Sequence, residues 1–216
     1  IPELIVRLGH EPLELQCHPR LFRVFERSFR IKCTPRRVLS QIEDDVVALA
    51  DLFMFYRRDQ SHFPKKPFLK ADPVVRLKFL DRLENYPRPW IGIAWNSRHG
   101  RLDVGQLLKK LEPMGGTRFN LQYGEKDDRL VDIQPDPLED MEGHLNFISC
   151  LDRMVSVTQT VVHEAGALGI PCDVIKPPKG SGDVNPALWY YGIGDCKHLV
   201  YGGVNVFQSI ESYKPL

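Results

Sequence analysis

Met154-Val155-Ser156-Val157-Thr158-Gln159-Thr160-Val161-Val162-His163-Glu164-Ala165-Gly166-Ala167-Leu168-Gly169 is the stretch on which the fold turns. Met154 to Val157 reads as a short strand, and Val161 to Leu168 as a helix, with a polar break between them. Ala165, Gly166 and Ala167 let that helix lie close to a sheet. Cys172 to Ile175 is the next strand. Upstream, Trp90-Ile91-Gly92-Ile93-Ala94-Trp95 is a nearly continuous apolar run, suited to a strand buried on both faces of a parallel sheet. Val104 to Leu111 predicts a helix closed by Pro113 and Gly115-Gly116, and Thr117 to Gln122 a strand. Leu138 to Leu151 predicts a helix with Met141, Leu145, Ile148 and Leu151 on one side. Before them, Asp72-Pro73 starts a helix with a capping residue and a proline at its first position. Leu77, Phe79, Leu80 and Leu83 form the expected apolar face of that helix. Repeated βα units imply a parallel sheet covered by helices through right-handed crossovers.

Ligands of open α/β sheets bind outside the carboxyl ends of the strands. Three such ends carry polar residues: Asn96-Ser97-Arg98-His99-Gly100-Arg101, Gln122-Tyr123-Gly124-Glu125-Lys126, and Thr158-Gln159-Thr160. The last lies at a helix start, where unpaired N–H groups and the helix dipole favour an anion. Hydroxyls there either cap the helix or donate to a phosphate. His163 is a ligand contact or a packing histidine, and Arg98, His99 and Arg101 add charge to the site or form a solvated loop. No Gly-x-Gly-x-x-Gly follows a strand and no Gly-Lys-Ser/Thr motif occurs.

Composition narrows the classes. The 216 residues are 43% hydrophobic and 26% charged, as in ordinary globular chains. With 29 Lys+Arg against 28 Asp+Glu, the formal charge of +1 supplies no field for nucleic acid or an anionic membrane. No apolar run reaches the ~20 residues of a transmembrane helix. Cys17, Cys33, Cys150, Cys172 and Cys196 are odd in number and scattered, without metal-site spacing, which favours buried thiols in a reducing compartment and a cytoplasmic location. Residues 1–70 are less patterned. Leu13 to Cys17 reads as a strand, Pro19 to Phe29 as a helix, Ile31 to Cys33 as a strand, and Asp44 to Phe55 as a strand end with a helical turn. Arg57 to Lys70 is basic and Pro-rich, as an exposed connection would be.

Leu151 to Pro171 resembles the "LDLVISVDNTTVHLAGALGKP" stretch of the heptosyltransferase-like glycosyltransferases, especially bacterial domains fused to tetratricopeptide repeats. Other segments agree in the same order. Ile91 to Asn96 resembles "VGLVWSG", Phe119 to Gly124 resembles "FVSLQYG", Phe68 to Pro73 resembles "YLRADP", and Trp189-Tyr190-Tyr191 resembles "WYP". The resemblance covers most of residues 60–210 and the first 60 loosely.

The resemblance implies a GT-B-like α/β architecture of two Rossmann-like parallel-sheet subdomains. Residues 1–70 would be a partial acceptor-side subdomain and 71–216 the donor-side one. Since the chain opens at Ile1 rather than Met, the first subdomain is expected to be truncated, with its opening strand and Gly-rich loop lying before Ile1. The implied activity is inverting, metal-independent transfer from a nucleotide-sugar substrate, with no cofactor, to a protein or glycan acceptor, in association with tetratricopeptide repeats. Asn96, Ser97, Arg98, Thr158, Thr160 and His163 would hold the donor diphosphate, and Gln122 and Tyr123 the nucleotide or sugar. The catalytic base is not assigned; His10 and His18 are the histidines that could be proposed for it. Three departures stand out. Thr158 replaces the family's acidic residue, Glu164 replaces a leucine, and the "HxxDRxRS" loop shrinks to Arg98–Asp103. Thr158, the shortened Arg98–Asp103 loop and the expected absence of the opening strand motivate the alternative of a degenerate glycosyltransferase fold serving as a structural or interaction domain without turnover.

Overall fold

The computed structural model describes residues 13–36, 47–48, 51–52, 56–176, 191 and 196–215. His10, Trp189, Tyr190 and most of Asp44–Phe55 lie outside the described residues. The first unit is a βαβ element: β1 (Glu14–Cys17), α1 (Phe22–Phe29) and β2 (Lys32–Pro35). The two strands are parallel, with Leu15 opposite Cys33. Helix α1 buries Val24 and Phe29, and Glu26 Oε1 accepts the Cys33 N–H at 3.0 Å, which ties the helix to β2.

The main sheet follows the connection, in which Phe68 and Leu69 both donate their N–H to the carbonyl of Ala167. Its elements are α2 (Pro73–Leu83), β3 (Trp90–Ala94), the hairpin β4 (Asn96–Ser97) and β5 (Gly100–Arg101), α3 (Val104–Leu111), β6 (Thr117–Asn120), α4 (Met141–Ile148), β7 (Arg153–Ser156), α5 (Thr160–Leu168), β8 (Cys172–Ile175), β9 (Cys196–Lys197) and β10 (Val204–Phe207). Six strands run in the order β6-β3-β7-β8-β10-β9, all parallel except β9 at the edge. The molecule is thus α/β with a mostly parallel sheet, compatible with a Rossmann-like unit.

Alternation along β3 divides the core. Trp90 and Ala94 face a cluster built by α2, α4 and α5, whereas Ile91, Ile93 and Trp95 face α3, Leu130, Ile210 and Tyr213. Every residue of β3 is buried, as a central strand covered on both faces requires. Three helices start on an aspartate: Asp72 accepts from Val74 and Val75, Asp103 from Gln106, and Asp140 from Gly143.

Differences from the expected pattern have local causes. Leu77 is 64% exposed. Phe79 and Leu83 are buried and Val75 is partly buried against the core, at a spacing of four. Leu77 lies roughly 200° around the helix from Val75, on the outer side. Helix α4 begins at Met141 rather than Leu138 because Asp140 caps it, leaving Leu138 in an exposed turn. Strand β10 is not evident in the sequence pattern; Val204 and Val206 are buried while Asn205 and Phe207 are half-buried, and β8 supplies its backbone partners. Among the described residues, no helix is long and apolar enough to cross a membrane.

Chain order positions the site. The connection from β3 through α3 places β6 on one side of β3, and the connection through α4 returns β7 to the other side. Where successive crossovers diverge, a crevice opens beyond the strand ends.

Candidate functional site

A cavity of about 780 Å³ occupies that crevice. Small-molecule sites span ~300–1,000 Å³, and this cavity falls within that range. All eight residues singled out from the sequence line it: Asn96, Ser97 and Arg98 from the β4–β5 hairpin, Gln122 and Tyr123 after β6, and Thr158, Thr160 and His163 around the start of α5. Arg20, in the turn before α1, reaches the same cavity, so the N-terminal βαβ unit contributes to its wall.

The start of α5 differs from the aspartate-capped helices. Its N-cap is Gln159, in extended conformation, with no side-chain capping bond and no acidic residue in the first turn. Thr160 is the first helical residue. Thr158 is 4% exposed, and among the described residues its Oγ1 has no hydrogen-bond partner. The Thr158 hydroxyl therefore makes no cap, and Thr160 lies inside the helix rather than at its N-cap. An uncapped helix start beside an orphaned buried hydroxyl is a set of donors without an acceptor.

Other site residues are engaged within the protein. Gln122 Oε1 accepts the N–H groups of Trp95, at 3.0 Å, and Asn96, at 2.8 Å, and its Nε2 donates to the Tyr123 carbonyl. Gln122 thus couples the ends of β6 and β3. Asn96 Nδ2 donates to Glu125, whose carboxylate also meets Arg101 Nη1 at 3.0 Å, so Arg101 is paired rather than free to face a ligand. Ser97 Oγ accepts the His99 N–H at 3.1 Å, and Arg98 Nε donates to His99 Nε2 at 3.2 Å. Tyr123 is 51% exposed at the mouth and offers an aromatic face there. His163 packs against the rings of Tyr191, His198 and Tyr201. Burial lowers its pKa against the opposing pull of Glu164, so near neutral pH it is an uncharged imidazole. His18 accepts the Arg20 N–H in the turn before α1 and is not on the cavity wall.

Sequence reasoning missed His144 and did not assign Glu164 to the site. Both line the cavity, and His144 Nε2 lies 3.0 Å from Glu164 Oε2. The available signal was a histidine in the middle of α4, whose residues are buried on nearly every side. Among the described residues, no three His, Cys, Asp or Glu side chains group as a metal site. A scan against family models and searches of curated proteins and of solved structures each found no match to the chain.

Proposed function

We propose that the cavity binds a nucleoside diphosphate sugar and that the chain is a GT-B-like glycosyltransferase domain. The transfer would be inverting and metal-independent, to a protein or glycan acceptor, with tetratricopeptide repeats as a fused or associated partner. The observation that carries this is the uncapped start of α5 with the orphaned Thr158 hydroxyl, opening into the cavity at the crossover of β3, β6 and β7. Loss of a nucleoside diphosphate from a sugar gathers negative charge on the departing phosphates. Fixed donors stabilise that charge without having to reorganise as the bond breaks. Here they are the first N–H groups of α5, the hydroxyls of Thr158 and Thr160, and the guanidinium groups of Arg98 and Arg20. His163, uncharged, contributes a hydrogen bond rather than a full charge. Tyr123 would stack on the base.

Isothermal titration against ADP, UDP and GDP tests the assignment, and it fails if none binds. The degenerate-fold alternative has its own observation: Gln122 and Asn96 spend their amides inside the protein, and two carboxylates, Glu125 and Glu164, share the wall. Nucleotide binding without release of sugar from any nucleotide-sugar would favour that alternative.

A further inference from the structure

The β4–β5 hairpin sets two donors side by side at the cavity. Asn96 and Arg101 stand opposite one another in its antiparallel register, so their side chains leave the same face. One carboxylate fills both. Glu125, in the loop after β6, accepts from Asn96 Nδ2 on Oε1 and meets Arg101 Nη1 at 3.0 Å with Oε2. Glu125 lines the cavity beside Asn96 and Ser97. Its backbone is pinned from behind: Asn120 Nδ2 donates to the Glu125 carbonyl at 3.0 Å, and the next residue, Lys126, pairs with Asp132 at 2.7 Å. Among the described residues, the Glu125 carboxylate has hydrogen bonds and ion pairs to these two hairpin groups alone. The ion pair is also partly solvated, with the Arg101 and Glu125 side chains 59% and 34% exposed, and such a pair holds weakly. Two oxygens of a phosphate present to an amide and a guanidinium the same acceptors that a carboxylate does, with more negative charge behind them. Carboxylate and phosphate exclude one another there, because both would place like charge against the same donors.

We propose that Glu125 is an internal stand-in for a phosphate of the ligand. An arriving phosphate displaces the carboxylate, which swings toward solvent on its pinned backbone, and takes over Asn96 and Arg101. Arg101, paired in the free protein, thereby becomes a phosphate-binding group alongside Arg98 and Arg20. Glu125 is the latch that holds it back, and a ligand without a phosphate leaves the latch closed. The latch rests on the reading of the cavity as a phosphate site, and not on which nucleoside or sugar the phosphate carries.

Titration calorimetry with inorganic pyrophosphate and with ADP, UDP and GDP tests it on the wild-type chain, Glu125→Gln, Arg101→Gln and the double variant. Glu125→Gln keeps the size of the side chain and removes its charge. It should tighten pyrophosphate, and whichever nucleotide binds, by about 3- to 10-fold. In the Arg101→Gln background the same substitution should bring little or no gain, since the guanidinium that it releases is gone. A gain that survives undiminished without Arg101 overturns the latch, because Glu125 would then act by repulsion across the cavity. Unchanged or weaker pyrophosphate binding in Glu125→Gln overturns it too, because the carboxylate would then be a strut of the hairpin. Should Glu125→Gln fail to fold, Glu125→Ala takes its place with the same expectations. Pyrophosphate binding that shows the Arg101-dependent gain, with no nucleotide bound, leaves the latch standing and refutes the nucleotide assignment. Nucleotide binding without that gain does the reverse. If neither pyrophosphate nor nucleotide binds any of these proteins, both ideas fall.

Discussion

Replacing Thr158 with valine should strengthen the ligand-free protein and weaken its ligand complex. The side chain is 4% exposed and its hydroxyl has no partner among the described residues. A buried hydroxyl without a partner carries a desolvation penalty of about 1–3 kcal/mol. Valine has nearly the same shape and lacks that penalty, so the variant should gain about 1–2 kcal/mol when nothing is bound. For a chain of this size each kcal/mol moves Tm by about 2–4 °C. The same substitution removes a donor to the ligand, and with a charged partner that costs about tenfold or more in affinity. A ligand at a hundred times its Kd adds about 2.7 kcal/mol to folding stability. After a tenfold loss of affinity, the same concentration adds only about 1.4 kcal/mol. Thermal melts with and without nucleoside diphosphate should therefore show the variant above the wild type when free, with a smaller ligand-induced rise. A variant that melts at or below the wild type, with an undiminished rise, would refute the reasoning: the hydroxyl would then serve the fold and not the ligand.

Asp173 is 1% exposed and gathers Arg153 Nη1 at 3.0 Å, Asn205 Nδ2 at 2.7 Å and the Tyr213 hydroxyl at 3.3 Å, which joins β7, β8, β10 and the C-terminal segment. Asp173→Ala leaves the half-buried Arg153 guanidinium and the buried Tyr213 hydroxyl without their acceptor and should cost about 2–4 kcal/mol in urea unfolding, without altering the cavity wall. Gly166→Ala would gain about 1 kcal/mol of helix propensity in isolation. In the fold its Cβ would lie 2.3 Å from Tyr201 Cγ, so overpacking of about 1–3 kcal/mol should dominate and lower the urea midpoint. His198 is fully buried, and its Nδ1 accepts the Val200 N–H at 3.1 Å, which requires a neutral ring. Burial, aided by the neighbouring His163, pushes its pKa down to about 4 from an ordinary value near 6.5. The unfolded chain therefore takes up the proton first as the pH drops. Stability is complete above about pH 6.5 and should fall by about 3 kcal/mol on the way to pH 4. His198→Phe should flatten urea midpoints measured across that window.

The legible features were those set by contiguous residues. The Trp90–Trp95 run, the Val104–Leu111 helix and the Cys172–Ile175 strand carry their periodicity within a few positions, and the structure places elements at Trp90–Ala94, Val104–Leu111 and Cys172–Ile175. Strand ends pointed to three polar loops, because a parallel sheet gathers its loops on one side, and the resemblance singled out within and just beyond them the eight residues that line the cavity. Illegible features depend on what lies across the fold. Leu77 has the same apolar side chain whether it faces the core or solvent. Strand β10 is defined by pairing with β8, and Glu125 neutralises Arg101 only because the loop after β6 folds beside the β4–β5 hairpin.

By itself, then, the sequence determined the alternation of strands and helices, the parallel sheet that alternation requires, and the polar loops gathered beyond its strand ends. The Asp72, Asp103 and Asp140 caps belong with these, since each acts within three residues of itself. Tertiary structure alone decided the strand order that opens the crevice between β3 and β7. It also decided that Arg20 comes to the cavity, that Thr158 is buried without a partner among the described residues, and that His144 meets Glu164. The physical reason is range. Periodicity and capping are properties of neighbours along the chain, whereas a hydrogen bond between α4 and α5 joins residues twenty positions apart and exists only once both helices are packed on the sheet.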